Sequence, residues 1–206
     1  MDVTEPANAV LPPGTAAVLR ALAGTEAVLT VRQLARVAGV SHNRAGQVVQ
    51  RLTEHGLVLA ERAGPSMLCR LNRQHLAADA VIELVRLRAR MLELLRHEIA
   101  SWPVAVEHAS LFGSAARGDG DTSSDLDILV VQPTQSIADG IEWEEQLFAS
   151  GRRIHAATGN HVAWFDISRD DLRRSVQASE SIIDEWRRDA IHLAGTELRR
   201  LLGTIS

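Results

Sequence analysis

Two aspartates one residue apart, Asp125 and Asp127, stand immediately before the apolar run Ile128 to Val131, and Ser124 precedes them. Along a strand, residues i and i+2 share a face about 7 Å apart, so this spacing projects two carboxylates side by side. Paired carboxylates suit a divalent cation, since Mg2+ binds through one or two carboxylates together with substrate phosphates. Upstream, the apolar stretch "VAVEHASLF" runs into Gly113-Ser114 and then Arg117-Gly118. Glycine lets backbone come close to a ligand, and a strand that turns there presents N–H groups and a hydroxyl to an anion. The chemistry implied is phosphate on one loop and its cations on the neighbouring strand.

For these side chains to converge, "VAVEHASLF" and "SDLDILVV" must be adjacent strands of one sheet. The helix "GIEWEEQLFASGRRIHAAT" should lead to a further strand, "GNHVAWFDIS", and "SIIDEWRRDAIHLAG" reads as a helix running into a short strand. "GTELRRLLGTIS" reads as a short tail, and Trp143, Trp164 and Trp186 as packing residues.

The pattern Gly-Ser, Arg-Gly, Ser-Asp-x-Asp resembles the nucleotidyltransferase superfamily that includes DNA polymerase beta, especially its minimal branch. By that resemblance Gly113 and Ser114 contact nucleotide phosphates, with Ser124 beside the acidic pair. Asp125 and Asp127 are implied as catalytic Mg2+ ligands, and Arg117 positions phosphate or the loop. The implied cofactors are Mg2+ and an NTP, with ATP the first choice. Some members act in toxin-antitoxin pairs, which implies a small helical protein partner. The family's catalytic geometry also needs a third carboxylate on a later strand, often just after its first valine. Here Val162 is followed by Ala163. Asp166 is three positions further and should face the other side under regular alternation. A bulge would rescue it; the preferred reading is a strand-end or helix-capping carboxylate before "SRDDL".

The region from Leu11 to His75 has a different character. It holds eight arginines against three glutamates, a net +5, which leaves −9 for the remainder of a chain whose total is −4. "TAAVLRALAG" reads as a helix capped by Thr15 and ended by Gly24. A second helix ends near Gly39, and Ser41 caps a third whose Ala45, Val48, Val49 and Leu52 form one buried face. Two strands then flank the turn Ala63-Gly64-Pro65-Ser66. "LARVAGVSHNRAGQVVQRLTEHGLV" resembles the winged helix-turn-helix family of DNA-binding domains. That resemblance places the start of the third helix in the major groove, with His42, Asn43, Arg44, Gln47 and Arg51 facing DNA and Arg62 on the wing. The same fold also serves as a protein-docking module.

Between the two, "LAADAVIELVRLRARMLELLRHEIASW" contains no Gly or Pro and reads as one long connecting helix. Its stripe Leu84, Leu87, Met91, Leu94 serves either packing on its own domain or a homodimer seam, and packing is preferred. The expected division is a winged helix over residues 11–75, a connecting helix over 76–100 and a nucleotidyltransferase-like domain over 101–206. The fold class is α/β (α+β), with a mixed sheet flanked by helices in the second module. Cys69 is the only cysteine, so no intrachain disulfide or thiolate cluster is expected. No apolar run approaches the roughly 18 residues of a membrane span, and Asp2 and Glu5 do not suit a secretory signal. A cytoplasmic protein without membrane contact is expected. Two functions follow: Mg-dependent transfer of NMP from an NTP to a hydroxyl, or transcription regulation by a domain that only binds nucleotide or a partner.

Overall fold

Thr30 and Ser41 fix where two helices begin. Thr30 makes a capping box with Gln33 at the start of α2 (Val31–Ala38), and the Ser41 hydroxyl accepts from the Arg44 N–H at the start of α3 (His42–Glu54). Gly39, at φ 66°, ends α2 and makes the tight turn between them. α1 (Thr15–Ala23) precedes them, ended by Gly24. Its cap differs from the sequence expectation: Gly14, at φ 78°, takes the cap position, and Thr15 is the first helical residue, buried beneath Arg51. The strands are β1 (Leu29–Thr30), β2 (Val58–Ala63) and β3 (Ser66–Leu71), antiparallel in the order β1-β3-β2, with Ala63 opposite Ser66 at the hairpin tip. This is the winged helix. Its core holds Leu19, Leu22, Leu34, Val48, Val49 and Cys69, among others. Burial pushes the Cys69 thiol up to about 11, leaving it un-ionised at neutral pH.

The computed structural model describes residues 1–12, 14–133 and 140–205. It divides into two units, Glu5–Arg88 and the combination of Met1–Thr4 with Ala89–Ser206. The connecting segment is two helices rather than one, α4 (Ala78–Val85) and α5 (Leu87–Ala100), broken at Arg86. The cause lies in the cores. Ile82 and Val85 pack with the winged helix, whereas Met91, Leu95 and Ile99 pack with the second unit. Of the stripe Leu84, Leu87, Met91 and Leu94, Met91 is buried and the other three are half-buried.

In the second unit the sheet contains β4 (His108–Phe112), β5 (Leu126–Val131), β6 (Val162–Ile167) and β7 (Ile191–Gly195) in the order β6-β5-β4-β7. β5 and β6 are parallel, and the other neighbours are antiparallel. The helices are α6 (Gly113–Arg117), α7 (Gly140–Thr158), α8 (Arg169–Gln177), α9 (Ser181–Asp189) and α10 (Leu198–Ile205). Alternation along β5 sends Leu126, Ile128 and Val130 to one core with α5 and α7. Leu129 and Val131 go to another, with Leu172, Ile183, Trp186 and Leu201. The expected tail is thus a core helix: Leu198, Leu201, Leu202 and Ile205 are all buried, each contributing about 1.5–3 kcal/mol.

Polar groups also lie inside this unit. His108 is fully buried; its Nδ1 sits 2.7 Å from the Thr196 carbonyl and its Nε2 2.9 Å from the Ser110 hydroxyl. A carbonyl only accepts, so Nδ1 carries the proton and Nε2 accepts from Ser110. Burial pushes the His108 pKa from 6.5 down to about 4, against the opposing pull of the Thr196 carbonyl.

Candidate functional site

The β4–β5 register pairs Phe112 with Asp127, which brings the Gly113 backbone beside the Asp127 carboxylate. A Cβ built on Gly113 would overlap an oxygen of that carboxylate, and Gly113 sits at φ 67°. Only glycine satisfies both demands. Ser114 follows, half-buried, and Gly118 ends α6 in the left-handed conformation. Asp125 lies exposed just before β5, with Asp127 half-buried two residues on. Burial raises the Asp127 carboxyl above the ordinary carboxylate range, and the negative charges of Asp125 and Glu185 add to this against Arg117. The charge at Asp127 therefore lacks full compensation from the protein. Two carboxylates on one strand face are donors of the kind a hard divalent cation takes, although among the described residues no group of three or more His, Cys, Asp or Glu side chains gathers to hold a metal.

The loop between Gly118 and Asp125 is organised by its own side chains. The Asp121 carboxylate accepts from the Ser123 N–H at 2.8 Å, the Ser123 hydroxyl at 2.7 Å and the Ser124 hydroxyl at 3.2 Å, which holds its pKa below the usual range. Ser124 in turn accepts from the Asp121 N–H at 2.9 Å. Arg117 bonds Asp119 at 3.2 Å and Glu185 of α9 at 2.9 Å, with Asp189 at 3.7 Å. The structure thus ties Arg117 and Ser124 into the loop's framework, beside Gly113, Ser114 and the acidic pair.

The strand beyond Asp127 carries no carboxylate on its face. β6 pairs Ala163 directly with Asp127, and Asp166 with Val130. Asp166 points to the opposite side, where it accepts from the Trp143 indole N–H at 2.9 Å and from Gln132 at 3.1 Å. No bulge interrupts the β5–β6 pairing, and Asp166 is not a helix cap: Ser168 and Asp171 form the capping box of α8. Trp143 and Trp186 are buried and Trp164 partly buried in the cores. Sequence reading missed Glu185 and the buried Asn160, because both reach the loop from distant elements and neither lies in a motif.

On the winged helix, His42, Asn43 and Gln47 are exposed and line a cleft of about 920 Å³ between α3 and the β2–β3 hairpin. Gln50, on the same exposed face of α3, lines it too, as does Arg32 of α2. Arg62 is exposed on the wing. Two arginines lean elsewhere. Arg51 donates to the Thr15 hydroxyl at 2.9 Å, and Arg44 lies against Gly14, whose Cβ would meet its Nε at 3.2 Å.

The architecture defines two modules, a winged helix and a nucleotidyltransferase-fold domain. Residues 11–65 match the MarR family and residues 92–177 match the nucleotidyltransferase domain family. Among solved structures, a candidate nucleotidyltransferase from Sulfolobus solfataricus is 22% identical over 53% of this chain and 85% of its own, with a TM-score of 0.34. A toxin-antitoxin structure with AMP-PNP is 24% identical over 57% of this chain and 82% of its own, with a TM-score of 0.35. TrmBL2, an archaeal chromatin protein with a novel mode of DNA binding, is 20% identical over 82% of this chain and 70% of its own, with a TM-score of 0.27. No curated protein matches at a significant level. Among the described residues, no helix is long and apolar enough to cross a membrane.

Proposed function

We propose that the second module binds an NTP, with ATP the first to test, and transfers its NMP to a hydroxyl acceptor, while the winged helix binds DNA. The observation that carries this reading is the Asp125–Asp127 pair set against Gly113 and Ser114, with the Asp127 charge incompletely balanced by the protein. As the acceptor oxygen bonds the α-phosphorus and the α–β bridge breaks, bound Mg2+ would polarise the phosphoryl oxygens and neutralise the departing pyrophosphate. The chain's own contribution is positional. Gly113 gives the phosphates access to the backbone, Ser114 offers a hydroxyl, and Arg117 and Ser124 hold the loop that frames them. Incubation with Mg2+ and each α-labelled NTP, with and without cell lysate, tests this. Label should appear on an acceptor with the parent, and fall about a thousandfold in the Asp125→Ala/Asp127→Ala double variant. A parent that labels nothing sinks the transfer reading.

One observation favours a second reading. Ala163 stands beside Asp127 where a further carboxylate would complete the metal site. On that reading the domain senses nucleotide or holds a small helical protein partner, and the winged helix regulates transcription. It predicts DNA affinity that shifts with ATP and no turnover.

A further inference from the structure

The first four residues support the loop that the nucleotide reading relies on. Val3 is fully buried in the core of the second unit, with Leu95, Leu126 and Trp143 among its members. The Thr4 hydroxyl donates to the Gly120 carbonyl at 2.6 Å, and the Thr4 N–H donates to the Asp2 carboxylate at 2.9 Å. Asn160, itself buried, donates its side-chain N–H groups both to the Met1 carbonyl at 3.0 Å and to the Ser124 carbonyl at 2.9 Å. It therefore ties the segment to the residue preceding Asp125. Gly120 is the point of contact. A Cβ there would come within 2.6 Å of Val3 Cγ2 and within 3.1 Å of the Ser114 and Ser124 hydroxyls. The absence of a side chain at Gly120 thus lets Val3 and the two serines converge beside it.

We propose that Met1–Thr4 is a clamp that sets the conformation of the loop from Gly113 to Ser124, with Val3 and Thr4 as positioning residues for the bound triphosphate. The clamp's role toward nucleotide rests on the reading given above. The loop is rich in Gly, Asp, Thr and Ser, and ordering such a segment costs conformational entropy. Contacts from 116 residues away supply that order before the ligand arrives, so the ligand does not have to.

The test uses the full chain as the parent, Val3→Asp and Thr4→Val, with Val3→Ile and Thr4→Ser as conservative controls. Circular dichroism reports folding, calorimetry reports binding of ATP with Mg2+, and hydrogen exchange reports the amides of residues 118–124. Val3→Asp should bind ATP about tenfold more weakly and exchange faster across the loop, Thr4→Val a few-fold more weakly, and both controls as the parent does. ATP affinity within about twofold of the parent in both Val3→Asp and Thr4→Val would overturn the proposal. If Val3→Asp does not fold, Thr4→Val decides. A parent that binds no ATP fails the nucleotide reading instead. The clamp is then judged on exchange, where loop protection unchanged in both variants overturns it and lost protection upholds it.

Discussion

The two polar regions of this protein are built on opposite plans. In the winged helix, caps and an apolar core hold α3, and His42, Asn43 and Gln47 stand on it, exposed to the cleft. In the second module the polar residues around the acidic pair hold one another. Asp121 binds Ser123 and Ser124, Arg117 binds Asp119 and Glu185, and Asn160 binds two carbonyls. The interiors differ likewise: His108, Ser110, Gln146, Ser150, Thr158 and Asn160 are all buried in the second unit. A surface presented by a scaffold can change side chains without loosening it. A site that is its own scaffold cannot.

The sharpest separation should come from acid. His108 titrates normally when unfolded and at about 4 when folded, so the unfolded state binds the proton more readily. Its contribution to stability is complete above pH 6.5 and is lost as pH falls toward 4, by up to about 3 kcal/mol. Calorimetric unfolding followed from pH 7 to pH 4 should show the second unit losing stability, and His108→Gln should flatten that slope. An unchanged slope in the variant would break the contrast in interiors. Next in size is the cleft. Asn43→Ala or Gln47→Ala should cost about 1–3 kcal/mol of DNA affinity by fluorescence anisotropy, with the melting temperature unmoved. A melting change alongside would show that these residues, too, are scaffold. The smallest effect tests the exception. Arg51 belongs to the framework through Thr15, so Arg51→Ala should lower stability by about 1 kcal/mol while leaving the salt dependence of DNA binding as in the parent. A slope reduced by about one would instead place Arg51 on phosphate.

What could be read from the sequence follows the same division. The winged helix declares itself through local signals: Ser41 ahead of α3, Gly39 between helices, and the three- and four-residue spacing of Ala45, Val48, Val49 and Leu52. Gly113, Ser114 and the acidic pair were legible for the same reason, since strand alternation and a turn are local. Ala163 was legible too, through the resemblance, which expects a carboxylate just after the strand's first valine; the parallel register then sets it beside Asp127. The break at Arg86 was not, because no breaker marks it and only the competition of two cores divides the helix. Nor was the cap at Gly14, which depends on Thr15 turning inward to meet Arg51. Asn160, Glu185 and α10 depend on partners from distant elements.

The division of the second unit into Met1–Thr4 and Ala89–Ser206 also bears on how the protein is made. Those four residues are synthesised well before Gly120 and Asn160, which they bind and which follow only after the winged helix has been translated. At about 5–20 residues per second, roughly 10–30 s separate Met1 from Asn160 on the ribosome. The winged helix can fold during that interval, so Met1–Thr4 takes its place only once residues made well after it are available.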